Sequence, residues 1–116
     1  MTLRFSDVCI DAADIHALGR WWSSVLGWRA ETTDDGDVAL RAPDGDGPDW
    51  LFLAVPDDKV VKNRIHFDFT PDDQQAEVDR LIGLGARHVD IGQGDQSWVV
   101  LADPEGNEFC ILAAKD

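Results

Sequence analysis

Alternation of apolar and ionisable residues marks three segments of the chain as strands with one covered face. In DVCIDA, Val8, Ile10 and Ala12 fall on one parity and Asp7, Cys9 and Asp11 on the other. In RIHFDFT, Ile65, Phe67 and Phe69 alternate with Arg64, His66, Asp68 and Thr70. In EFCIL, Phe109 and Ile111 alternate with Glu108, Cys110 and Leu112. Strand side chains point to opposite faces in turn. Each segment therefore offers an apolar face to a helix and turns ionisable groups toward water or a ligand. Two segments follow the helical period instead, at 15–25 and 73–84. Leu18, Trp21, Trp22 and Val25 line one stripe of the first, and Ala76, Val78, Leu81 and Ile82 one stripe of the second. Each runs into Leu-Gly, at Leu26-Gly27 and Leu84-Gly85, and glycine is favoured just past a helix end.

The two halves repeat one plan. Strands are expected at 28–32, 37–42 and 50–55 after the first helix, and at 87–91, 97–102 and 108–113 after the second. TDDGD, PDGDGPD, GQGD and DPEGN supply the turns between them. The pattern is βαβββ twice, joined by VPDDKVVKN, which is an α+β layout. The 116 residues suit a single domain of two modules, about 1–56 and 62–116.

Composition narrows the partners. The net charge is −13, with 23 acidic residues against 10 basic, which argues against nucleic acid and anionic membranes and is compatible with a cationic ligand. No apolar run approaches the ~20 residues that span a bilayer, and a cytoplasmic protein is expected. Cys9 and Cys110 read as thiols, their pairing left open. No P-loop, GxSxG, dinucleotide fingerprint or CxxC occurs.

The repeat, the opening DAADIHALGRWWSSVLGW, the segment KNRIHFDF and the closing DPEGNEFCIL resemble the vicinal oxygen chelate superfamily, and its glyoxalase-like subgroup in particular. That superfamily contains glyoxalase I, extradiol dioxygenases and bleomycin-resistance proteins. The resemblance implies two tandem βαβββ modules forming a curved, partly open mixed sheet around a cleft. It also implies that modules pair between chains, so a homodimer is expected. In metal-dependent members, ligands come from the first and last strands of each module. The matching positions here are Asp7, a residue within 50–53, His66 and Cys110. The usual residues are His or Gln, Glu, His and Glu, and only His66 keeps its type. WLFLAV offers no ligand, and Cys110 stands where the last Glu belongs. No cofactor is favoured on this ground. A divalent metal, if held, would use Asp7, His66 and Cys110. Cys110, between Phe109 and Ile111, reads more simply as a small buried hydrophobe.

Candidate roles follow. His66 with Asp68 could act as acid and base, or His66 could simply hydrogen-bond Asp68 or Asp7. Arg64 could clamp a carboxylate or pair internally with Asp7, Asp11 or Asp68. Trp50 is the candidate aromatic wall, whereas Trp21 and Trp22 read as core. Asp7, Cys9, Asp11, Trp50, Arg64, Glu108 and Cys110 are the expected ligand-binding residues. DPEGN only reverses the chain. The leading reading is a glyoxalase-like protein that binds a small cationic or aromatic molecule without the usual metal set. The alternative is a metal-dependent or His-assisted lyase, isomerase or dioxygenase.

Overall fold

The computed structural model describes residues 3–44, 47–90, 92, 94 and 96–114. The chain forms two compact units, residues 1–58 and 59–116. Each is a βαβββ module, and together they give the α+β fold that the periodicity implied.

The first unit contains β1 (Asp7–Ala12), α1 (Ile15–Leu26), β2 (Arg29–Thr32), β3 (Val38–Arg41) and β4 (Asp49–Ala54). Its open four-stranded sheet runs β1-β4-β3-β2, with β1 and β4 parallel. α1 starts at Asp14, whose carboxylate accepts the Ala17 N–H at 3.0 Å. It stops at Gly27, whose φ of 71° suits a residue without Cβ. Leu18, Trp21 and Trp22 are buried, as their spacing implied. Gly19 sets how closely the helix approaches the sheet: a Cβ there would stand 2.7 Å from Val38 Cγ1. Trp22 meets Trp21 and Trp50 edge-on at centroid distances of 4.9 and 5.2 Å, and Trp28 meets Trp50 at 5.8 Å.

The second unit contains β5 (Phe67–Phe69), α2 (Gln74–Gly83), β6 (Arg87–His88), β7 (Val99–Ala102) and β8 (Glu108–Ile111). Its open sheet repeats the order, β5-β8-β7-β6, with β5 and β8 parallel. Asp73 caps α2 through the Ala76 N–H at 3.1 Å. Phe109, Leu81, Val100, Leu101 and Ile111 form its core.

Three expectations change here. β5 begins at Phe67, so Ile65 lies outside the strand and is 79% exposed. The Asn63 N–H, which a longer strand would use in its ladder, instead donates to the Glu108 carboxylate at 2.9 Å. The inward stripe of α2 is buried Val78 and Leu81 with half-buried Gln74, whose amide donates to the Ser97 and Ile111 carbonyls at 2.8 and 3.1 Å. Ala76 and Ile82 lie off that stripe and are exposed. Finally, β6 ends at His88, and the expected strand's last residue, Ile91, falls outside the described residues. So do Gly45 and Asp46 of the PDGDGPD turn and Gln93 and Asp95 of GQGD.

Candidate functional site

In the first unit, parallel pairing sets Val8 beside Trp50 and Ile10 beside Phe52, on the face that α1 covers. The opposite face carries Asp7 beside Asp49, Cys9 beside Leu51, and Asp11 beside Leu53. Asp7, Cys9 and Asp11 are exposed there. Trp50 is thus not a wall of that face. It is buried among Trp22 and Trp28, because its register partner Val8 points under the helix. The position expected to carry a Glu ligand holds leucines, Leu51 and Leu53.

Charges toward the β2 edge satisfy one another. Arg41 Nε reaches Glu31 at 2.6 Å, and its Nη1 reaches Asp49 at 3.0 Å. Glu31, then Asp49, holds the Arg41 guanidinium above its ordinary range. The Ala42 N–H donates to Asp49 at 2.8 Å; that bond, followed by Arg41, keeps the Asp49 carboxyl below the usual range. Asp7 has a different neighbour, the Ser6 hydroxyl, which donates to it at 2.8 Å.

In the second unit, pairing of Asp68 with Cys110 puts Asp68, Glu108 and Cys110 on one parity, opposite Phe109 and Ile111, and His66 precedes the strand. Cys110 is buried beside Asp68. Burial pushes its thiol up, and the charge and hydrogen bond of Asp68 push it further. Glu108 is 6% exposed and fully engaged. Lys59 Nζ lies 2.8 Å from Oε1 and 2.9 Å from Oε2, and the Asn63 N–H donates to Oε1. Burial works to raise the Glu108 carboxyl, but the Lys59 and Asn63 bonds outweigh it and hold the group below its ordinary value. Glu108 is therefore an anchor for the segment that leads into β5, rather than a group presented to a ligand.

His66 does not bond Asp68. Its Nε2 sits 2.8 Å from Lys62 Nζ and 2.9 Å from the Asn63 carbonyl oxygen. One ring nitrogen cannot accept from the first and donate to the second at once. Arg64 is exposed, precedes the strand and makes no ion pair among the described residues, so strand alternation does not carry it to the His66 face. Sequence reasoning missed Lys59, Lys62 and Asn63. Their signal was the cation-rich run KVVKNR in an acidic chain, which read only as a bridge.

Asp7, His66 and Cys110 are the donors expected for a divalent ion. Cys110 would bind a metal ion as its thiolate. The His66 nitrogen already faces an ammonium group. Among the described residues, no group of three or more His, Cys, Asp or Glu side chains stands together. Both cysteines are free, Cys9 exposed and Cys110 buried. Asp103 organises the DPEGN turn. Buried Asp103 accepts the Glu105 and Asn107 N–H groups at 2.9 and 3.0 Å and the Asn107 side-chain amide at 3.0 Å.

A family model described as a glyoxalase-like domain matches residues 7–112. No curated protein matches the chain. A genomically encoded fosfomycin resistance protein, FosX, from Listeria monocytogenes is similar in structure, with a TM-score of 0.74 at 12% identity, covering 99% of this chain and 94% of that one. A glyoxalase/bleomycin resistance protein/dioxygenase family enzyme from Burkholderia phytofirmans gives 0.68 at 22% identity, over 91% and 94%. The trypanothione-dependent glyoxalase I of Leishmania major gives 0.67 at 14%, over 97% and 87%. At these identities the likeness is one of fold.

Proposed function

The chain belongs to the glyoxalase-like domain family, and on that premise we propose that it binds a small organic cation without a metal ion. The carrying observation is an imbalance on the open sheet faces. Asp7, Asp11 and Asp68 are exposed and have no cationic partner among the described residues. Glu31, Asp49 and Glu108 on the same faces are each matched by an Arg or Lys. Carboxylates that no side chain neutralises are the groups a cationic ligand would meet. A similar structure described as a fosfomycin resistance protein agrees with a small molecule as the ligand class.

Acid–base chemistry at His66 is the second reading. Nε2 lies 2.8 Å from the Lys62 ammonium, so a substrate that used this nitrogen as base would first have to displace that ammonium. Simple binding asks for no such step.

Calorimetric titration with benzyltrimethylammonium tests the proposal. Saturable binding is expected, weakened at least tenfold in Asp68→Asn or in Asp7→Asn/Asp11→Asn. These side chains are exposed, and the variants should keep the fold. No saturation, or affinity unchanged in both variants, would sink the reading. Preference for benzoate over the cation would move the site to Lys62 and His66.

A further inference from the structure

The open sheet face of the first unit sets two kinds of surface in a fixed order. Asp7, Cys9 and Asp11 of β1 stand in register beside Asp49, Leu51 and Leu53 of β4. The three β1 residues are exposed, and the two leucines are half-buried. Leu51 and Leu53 turn away from α1, because Trp50 and Phe52 of the same strand lie buried on the covered side. The middle of this face is therefore apolar, with a carboxylate toward either end of β1.

The charges divide unevenly across it. Asp49 is matched by Arg41 and by the Ala42 N–H, and Arg41 is shared with Glu31. Asp7 accepts a neutral hydroxyl, that of Ser6. Asp11 makes no ion pair among the described residues. Four residues of extended strand separate Asp7 from Asp11, about 13 Å at a rise of ~3.3 Å per residue. That is too far for one ammonium group to meet both. A cation seated at one carboxylate leaves the other unmatched.

The interval between them is not polar. Cys9 lies there beside Leu51, and a thiol behaves as a small hydrophobe. The surface thus reads carboxylate, hydrocarbon, carboxylate along a straight strand. Its complement is a straight chain with a cation at each end and hydrocarbon between. A net charge of −13 draws a dication more strongly than a monocation.

Resting on the reading that this chain binds an organic cation, we infer that its ligand class is a linear aliphatic diammonium, with its ends paired to Asp7 and Asp11 and its hydrocarbon chain laid over Cys9 and Leu51.

Calorimetric titration with diaminobutane, diaminooctane and octylamine tests it. Physiological salt in the buffer screens the general attraction of an acidic chain for dications. Diaminooctane is expected to bind about fivefold tighter than octylamine, the size of one exposed ion pair. It should also bind tighter than diaminobutane, which is too short to reach both carboxylates. Asp7→Asn and Asp11→Asn, taken singly, should each bring diaminooctane down to the level of octylamine. Leu51→Ala should weaken the two octyl compounds alike. Octylamine as tight as diaminooctane, or diaminooctane indifferent to both single Asp substitutions, would overturn the diammonium inference and leave the cation reading standing. Failure of all three amines to bind would overturn it too, and benzyltrimethylammonium then tells whether the broader reading falls with it.

Discussion

The two units share a plan and spend their sequences differently. In the first, six-residue β1 and β4 and a twelve-residue helix enclose four tryptophans, and the ion pairs stay near the surface. In the second, β5 has three residues and β6 two, and the interior admits Asp103 and Glu108. The same topology is thus held mainly by apolar packing in one half. In the other half it is helped by buried carboxylates whose every bond is met. Packing tolerates loss by degrees, whereas a buried charge depends on its one partner.

The sharpest way to break that comparison is to cut into the first core. Trp50→Ala should cost about 3–5 kcal/mol, as large aromatic truncations in cores do. Urea unfolding followed by far-ultraviolet circular dichroism reads it, and a loss under 1 kcal/mol would mean that the tryptophan cluster is not the support described. Next comes the buried pair. Lys59→Met strands the Glu108 charge and should cost about 2–3 kcal/mol, with much of it regained in Lys59→Met/Glu108→Met. The same pair carries a pH signature. Glu108 sits below its ordinary pKa, so its contribution is present above the usual carboxylate range and fades as pH falls through its lowered value. Midpoints measured down a pH series should decline less steeply on the acid side in Glu108→Gln. The smallest effect is expected at the DPEGN turn. Asn107→Ala removes the amide bonds to Asp103 but leaves the backbone donors in place, for about 1 kcal/mol.

Much of this fold was legible in the sequence, for reasons that also explain the misses. The period-two pattern of DVCIDA fixed the faces of β1, because its polar residues are ionisable and its apolar ones are not. WLFLAV has no such contrast. Its parity is set only by pairing with β1, which turns Trp50 toward Trp22 of α1. Ile65 looked like the first of three strand residues by the same alternation. Its neighbour Asn63, however, is claimed by a carboxylate 45 residues away, and local pattern cannot register a partner so distant. The site divided along the same line. Exposure of Asp7, Cys9, Asp11 and Asp68 follows from parity, and the burial of Cys110 follows from its place between Phe109 and Ile111. The roles of Glu108, Lys59 and Lys62 depend on the fold bringing residues 59–63 to β8.

The tryptophans leave an optical asymmetry. Trp21, Trp22, Trp28 and Trp50 belong to the first unit, and Trp98 alone to the second. Near-ultraviolet absorption and emission therefore come chiefly from one half of the molecule, with edge-on indoles 4.9 and 5.2 Å apart, close enough to share excitation. A fluorescence titration would follow mainly events around α1. Replacing Trp98 by phenylalanine, or keeping it as the single tryptophan, would turn that imbalance into a way of watching each half separately.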